Sequence, residues 1–198
     1  MNVLPRYSPL PRSFYYRPTL AVARDLLGAR LVRRLDNGLQ LVGKIVETEA
    51  YIGEEDPACH AARGRTPRTA IMYGPPGYAY IYFTYGMHHC LNAVTEREGF
   101  PAAALIRAVE PLEGLETMRE FYGRSRGSRL TDGPGKLCRA FALDRSLNGA
   151  DLCGEILFIA AGEEVAEQHI AVTPRIGIRS GKEYPWRFCL KNNSFVSR

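Results

Sequence analysis

Two runs of strand-forming residues, Arg30 to Leu35 and Leu39 to Val46, are separated only by Asp36-Asn37-Gly38. Asn-Gly accepts the positive φ of a tight hairpin turn, so the two runs are expected to pair antiparallel. The same grammar continues downstream. Tyr78 to Tyr85 carries tyrosine at alternating positions, which puts Tyr78, Tyr80, Tyr82 and Thr84 on one face of a strand and Ala79, Ile81 and Phe83 on the other. Gly86 then permits a bend, and His88 to Thr95 and Ala102 to Glu110 read as the next two strands of an antiparallel meander.

Helices are expected at Pro18 to Leu27, closed by Gly28, and at Glu113 to Tyr122, closed by Gly123. Asp132-Gly133-Pro134-Gly135-Lys136 leads into a short helix over Leu137 to Leu143, whose free N–H groups beside Lys136 suit a phosphate. Shorter strands fall at Ile156 to Ala160, His169 to Val172 and Trp186 to Lys191. The basic loop Arg124 to Arg129 is expected to be mobile. Regular β-α alternation and a G-x-G-x-x-G turn are both missing from the sequence, which argues against a dinucleotide-binding fold. The expected fold class is α/β-mixed, α+β: a single domain over residues 1–198 built on an antiparallel sheet, with residues 1–14 an extended N-terminal segment.

At 198 residues and 45% hydrophobic composition the chain can bury one substantial core. No apolar run approaches the roughly 20 residues that span a bilayer, and Met1 to Arg6 lacks the apolar centre of a signal peptide. A soluble, cytoplasmic protein without membrane association is expected. The 26 Lys and Arg against 21 Asp and Glu give a charge of +5, which favours a polyanionic partner without identifying one. The five cysteines are scattered and form no C-x-x-C pair. Cys59-His60 and His88-His89-Cys90 match no structural zinc spacing, so no metal site is expected.

Three features carry chemistry. Glu47-Thr48-Glu49-Ala50-Tyr51 follows the second strand, so its carboxylates are expected where that strand leaves the sheet, a common place for functional groups. The tyrosine-rich strand ends in a glycine bend at Tyr85-Gly86-Met87, and the intervening loop carries Arg63, Arg65 and Arg68.

These features recur in order with others: Glu49-Ala50-Tyr51, Ala58-Cys59-His60, Arg65-Thr66-Pro67-Arg68, Gly77 to Tyr82, Tyr85-Gly86-Met87, Asn92, Arg107 to Gly114 and Gly133 to Cys138. In this the chain resembles the alkyladenine (3-methyladenine) DNA glycosylase family over residues 15–198. The resemblance implies a curved sheet with flanking helices and a protruding hairpin that inserts into DNA. It implies a monofunctional base-excision enzyme that flips alkylated purines, such as 3-methyladenine and 7-methylguanine, with hypoxanthine and ethenoadenine as further candidates. The enzyme would hydrolyse the N-glycosylic bond by water attack, without a cofactor and without cleaving the strand at the abasic site.

Position by position, the resemblance makes Glu49 the general base and Arg107 the arginine that helps hold the attacking water. Tyr51, His60 and Tyr82 would line the pocket around the flipped base. Asn92 would block the exocyclic amino group of normal guanine. Tyr85 would wedge into the minor groove with Met87 beside it, and Arg65, Arg68 and Lys136, with Arg63 and Arg119, are candidates for backbone contacts. The implied partner is double-stranded DNA containing damaged purines, bound by a monomer.

The chemistry is physically coherent. A stacked base hides its glycosylic bond, so the nucleotide has to leave the duplex at a cost of a few kcal/mol. Methylation at N3 or N7 makes the purine cationic, and aromatic walls then add about 0.5–2 kcal/mol of cation–π attraction. Such a base is also a good leaving group, so one carboxylate can serve where glycosidases use two. A neutral base needs protonation as it departs; His60 is the candidate acid, with a purely geometric role as the plainer reading. The rival readings are a non-catalytic binder of damaged or distorted DNA, which needs no Glu49, and a domain directed at RNA or small molecules, which needs no Tyr85.

Overall fold

The computed structural model describes residues 6–123 and 129–197. Apart from Arg129, the loop expected to be mobile lies outside the described residues.

Among the described residues eight strands form a single antiparallel sheet: β1 (Arg30–Arg34), β2 (Gln40–Ile52), β3 (Ala79–Thr84), β4 (His88–Val94), β5 (Ala102–Glu113), β6 (Leu157–Ala160), β7 (Ile170–Thr173) and β8 (Arg187–Leu190). The hairpin expected around Asn37-Gly38 joins β1 to β2, with Val32 opposite Val42. β3, β4 and β5 form the expected meander. The order β3-β4-β5-β2-β1-β6 places β2 centrally, and its free edge beyond β1 is taken by β8, which also pairs with β7. A strand that serves two neighbours along one edge forces the sheet to splay and curl. Register breaks in the β2–β5 ladder at Val42/Gly43 and around Glu47 add to that curvature.

β2 is the main departure from expectation. It runs to Ile52 instead of ending near Val46, so Glu47 and Glu49 lie inside a strand paired on both edges and are fully buried. They do not stand where a strand leaves the sheet. The reason is pairing: β5 covers one edge of this segment and β8 the other, opposite Glu47 at Ala108 and Cys189.

Among the described residues four α-helical segments flank the sheet: α1 (Arg12–Tyr15), α2 (Thr19–Asp25), α3 (Leu115–Tyr122) and α4 (Pro134–Ala140). The turn α1 ends the extended N-terminal run at residue 11, short of the expected 14, because Tyr15 is drawn fully into the core. α4 starts three residues earlier than expected, at Pro134, a residue suited to a first helical turn.

Period-two alternation divides the curved sheet into two faces. Ala79 and Ile81 of β3, Leu91 and Ala93 of β4, and Ala104 and Ile106 of β5 join Leu26, Leu31, Leu41 and Phe141 in the main core. The helices pack on this side. Thr48 donates its hydroxyl to the Ala23 carbonyl of α2 at 2.6 Å. Gly43 is needed there, since a Cβ would come within 2.6 Å of Val109 and 3.1 Å of Phe141. The opposite face carries the residues singled out for chemistry.

Candidate active site

On that opposite face the alternating residues are Glu47, Glu49 and Tyr51 of β2, Tyr80, Tyr82 and Thr84 of β3, Cys90 and Asn92 of β4, and Ala103, Leu105 and Arg107 of β5. A cavity of about 420 Å³ opens over them, lined among others by Tyr51, His60, Tyr82, Asn92, Leu105 and Arg107. Tyr85 stands at its rim, and a segment of 3-10 helix, His60–Arg63, forms one wall. Its size suits a small aromatic ligand. A larger groove of about 1060 Å³ lies by α2 and residues 161–167, where Arg24–Glu167 and Arg30–Glu163 are surface pairs, away from this chemistry.

Glu49 sits directly behind the cavity wall. Its Oε2 accepts from the Tyr51 hydroxyl at 2.7 Å and from Arg107 Nη1 at 3.2 Å, and its Oε1 accepts the Ile176 N–H at 2.9 Å. All three donors belong to residues that line the cavity. A carboxylate offers about four acceptor positions, so one remains on Oε1. Glu47, two residues earlier, is more heavily engaged: Arg107 Nε at 2.9 Å, Arg187 Nε at 2.6 Å, and the Ser197 amide and hydroxyl at 2.7 and 2.8 Å. Burial works against the charge of Arg107, but Glu49 and Glu47 outweigh it and raise its pKa, so the guanidinium stays ionised. Arg107 thus bridges two buried carboxylates of different kinds: Glu47, held by four donors from Arg107, Arg187 and Ser197, and Glu49, held by three donors that all belong to cavity-lining residues.

The aromatic lining is interlocked. His60 meets the Tyr82 ring edge-on at a centroid distance of 4.4 Å, and Tyr80 lies 5.2 Å from Tyr82. His60 Nδ1 shares a hydrogen bond of 2.8 Å with the Tyr80 hydroxyl. Burial, with a smaller contribution from Arg68, lowers the His60 pKa to about 4, so the imidazole is neutral at pH 7. Burial first, and then the Glu49 carboxylate, raise the Tyr51 pKa and keep its hydroxyl protonated as a donor. Asn92 donates from Nδ2 to the Tyr80 carbonyl at 2.9 Å, which fixes its amide on the cavity wall.

At the β3–β4 turn Tyr85 and Gly86 both adopt left-handed backbone, with φ of 52° and 68°. Glycine takes that conformation freely and tyrosine does not. Tyr85 nonetheless exposes 79% of its surface there, and Met87 beside it 68%. An exposed aromatic in a sparsely populated backbone conformation is a feature that clusters at binding sites.

The backbone-contact candidates separate. Arg68 stacks over Tyr82, 5.0 Å from the ring centroid, with Nη2 3.5 Å from His60 Nε2, so it edges the cavity. Arg65 is further out, over Tyr73 at 5.8 Å. Lys136 lies in the first turn of α4, paired with Asp132 at 2.7 Å, and Arg119 pairs with Glu116 on α3. Several contributors were not singled out from the sequence: Glu47 as an anchor for Arg107, Arg187, the Asp56–Arg175 pair, and residues 176–180, which close one side of the cavity. For Glu47 the signal was its place two residues before Glu49, which puts both on one face of a strand. For 176–180 there was none beyond a stretch rich in Gly and Pro.

The folded chain therefore presents a curled antiparallel sheet with an aromatic cavity over a buried carboxylate and an exposed tyrosine at its rim. The family model for methylpurine-DNA glycosylase matches residues 13–194. Curated relatives named "Putative 3-methyladenine DNA glycosylase" include one from Carboxydothermus hydrogenoformans, 55% identical over 96% of this chain and 98% of the relative. Another, from Methanocella arvoryzae, is 53% identical over 96% of both chains, and one from Myxococcus xanthus is 50% identical over 96% of this chain and 93% of its own. The chain belongs to the methylpurine-DNA glycosylase family, DNA repair hydrolases that act on N-glycosyl bonds.

Proposed function

We propose that this protein excises alkylated purines, 3-methyladenine and 7-methylguanine foremost, from duplex DNA by base flipping and hydrolysis. The observation that carries this reading is the free acceptor position on Glu49, a carboxylate whose other partners all line the aromatic cavity. Tyr85, with Met87, fills the gap left by the extruded nucleotide, which offsets part of the cost of unstacking. The faces of Tyr51 and Tyr82 hold the cationic base, and the fixed Asn92 amide narrows the cavity against the amino group of guanine.

As the bond from C1′ to the purine nitrogen breaks, its electron pair leaves with the base and neutralises the base's positive charge. Glu49 stabilises the oxocarbenium-like sugar and accepts a proton from the water whose oxygen bonds to C1′, while Arg107 orients that water. The reading is of attack by water rather than by a Schiff-base lysine, and hence of no strand cleavage at the abasic site. Arg65, Arg68 and Lys136 contact the backbone, and one cavity with one wedge suits a monomer acting in the cytoplasm.

The test is to incubate the protein with methylated DNA, and separately with a duplex holding one hypoxanthine, and to score released bases and abasic sites beside a Glu49→Gln control. Release of methylpurine by the wild type alone supports the reading. Tight binding to damaged duplex with no release from either protein replaces it with the non-catalytic binder.

A further inference from the structure

Asp56 and Arg175 form an ion pair whose side chains are both wholly excluded from solvent. The pair is bidentate, with Nη1 on Oδ2 at 2.6 Å and Nη2 on Oδ1 at 2.7 Å. Arg175 Nη1 also donates to the Ala50 carbonyl at 2.9 Å, and Asp56 accepts the amides of Ile52 and Ala58 at 3.2 and 3.0 Å. One pair thus ties together the end of β2, the 57–60 wall of the cavity and the segment that follows Arg175. Gly181 closes the knot, since a Cβ there would meet Arg175 Nη2 at 2.7 Å.

Two consequences reach the site. Arg175 is followed by Ile176, whose N–H holds Glu49 Oε1 at 2.9 Å. The Arg175 guanidinium, which does not line the cavity, lies 4.7 Å from the ring centroid of Tyr51, which does. On another side it lies 5.0 Å from Trp186, itself stacked on Tyr184 at 4.3 Å. A buried charged pair is costly to assemble and rarely adds net stability over an apolar substitute. Its geometry here is spent on fixing three segments around one carboxylate and one ring.

We propose that Arg175, held by Asp56, is a positioning residue for excision: it sets the Ile176 amide against Glu49 and the Tyr51 ring against the cavity. This inference rests on Glu49 being the base. Arg175→Lys keeps the charge but loses the two-pronged grip, and Gly181→Ala crowds the guanidinium while keeping every polar group. Trp186 is the only tryptophan in the chain, so its emission reports the stack on Arg175 independently of activity.

With enzyme in excess over methylated duplex, each variant is expected to lose about 10–100-fold in single-turnover rate, the scale on which small misplacements act. Affinity for a duplex carrying a stable abasic analogue should stay within about twofold, and Trp186 emission should change. If emission changes in either variant while the rate equals wild type, the inference is wrong. If rate and affinity fall in parallel, the pair serves the fold in general and the inference is likewise wrong. A wild type that releases no base sinks the proposed function itself, whereas active wild type, inactive Glu49→Gln and fully active Arg175→Lys sink the positioning role alone.

Discussion

Glu47 and Glu49 share a strand face, full burial and a bond to Arg107, yet the structure assigns them opposite consequences on substitution by glutamine. Glu47 accepts four donors, two of them from guanidiniums. An amide at 47 can keep its oxygen on Arg107, Arg187 and the Ser197 hydroxyl, but it turns an NH2 group on the Ser197 N–H and removes the negative charge that the two guanidiniums share. Taking the charge from the buried partner of two guanidiniums costs about 3–5 kcal/mol, or about 6–20 °C in Tm at about 2–4 °C per kcal/mol for a chain of this size. At position 49 the amide oxygen can keep the Ile176 N–H, and the Tyr51 hydroxyl can rotate from donor to acceptor. Only the 3.2 Å bond from Arg107 is lost, so the cost is about 1–2 kcal/mol, or about 2–8 °C. Rates should run the other way. Glu49→Gln is expected to lose about 10²–10⁴-fold in single-turnover release of methylpurine, the range of a general base, and Glu47→Gln less than about tenfold below its melting transition, equivalent to about 1.4 kcal/mol. Thermal melts and single-turnover assays on the two variants check both halves. Equal rate losses with no loss of Tm in Glu47→Gln, or a Glu49→Gln that works at wild-type rate, would refute the assignment.

Two further predictions follow from single residues. Tyr85→Asn keeps a side chain that tolerates left-handed backbone, so Tm should hold within about 2 °C while excision falls about 10–100-fold, the loss of about 1–3 kcal/mol of base stacking; undiminished excision would exclude the wedge. Burial, and then Arg68, depress the folded His60 pKa to about 4 from its ordinary 6.5. The unfolded chain therefore takes up this proton first, so stability is lost as pH falls from 6.5 to 4 and nothing changes above 6.5. Melts of His60→Gln at pH 7 and pH 5 should show the variant losing less Tm than wild type on acidification, and an equal loss in both proteins would contradict the shift.

The parts of the fold legible in the sequence were those encoded locally. Asn37-Gly38 marks a turn that few residues can make, and the tyrosines of 78–82 mark a strand with unlike faces, so the first hairpin and the meander were readable. The end of β2 was not. Two glutamates around Thr48 look like a strand giving way to a polar loop, and only the distant β5 and β8, with Arg107 and Arg187, make their burial tolerable. For the same reason the resemblance to known glycosylases named Glu49 and Arg107, and the pattern set Glu47 on the face of Glu49, but neither could supply Arg175 or the anchoring role of Glu47. Their roles are defined by partners 60 to 140 residues away.

What the cavity can donate bears on which bases leave it. The Tyr51 hydroxyl is committed to Glu49, the Asn92 amide to the Tyr80 carbonyl, and His60 Nδ1 to the Tyr80 hydroxyl. Burial keeps the Tyr82 hydroxyl protonated and it faces Cys90. Arg107 and Arg179, which also line the cavity, do not release protons at neutral pH. A cationic methylpurine departs neutral and needs no proton from any of them. Hypoxanthine departs as an anion unless it is protonated, and His60, the one histidine among the described residues lining the cavity, is already deprotonated above about pH 4. Release of 7-methylguanine is therefore expected to exceed release of hypoxanthine by about 10²–10⁴-fold at pH 7, the contribution an acid would have made. Matched duplexes compared under single-turnover conditions measure the ratio. Comparable rates at pH 7, lost in His60→Gln for hypoxanthine alone, would show that His60 acquires its proton once DNA is bound and that the free cavity misrepresents the working one.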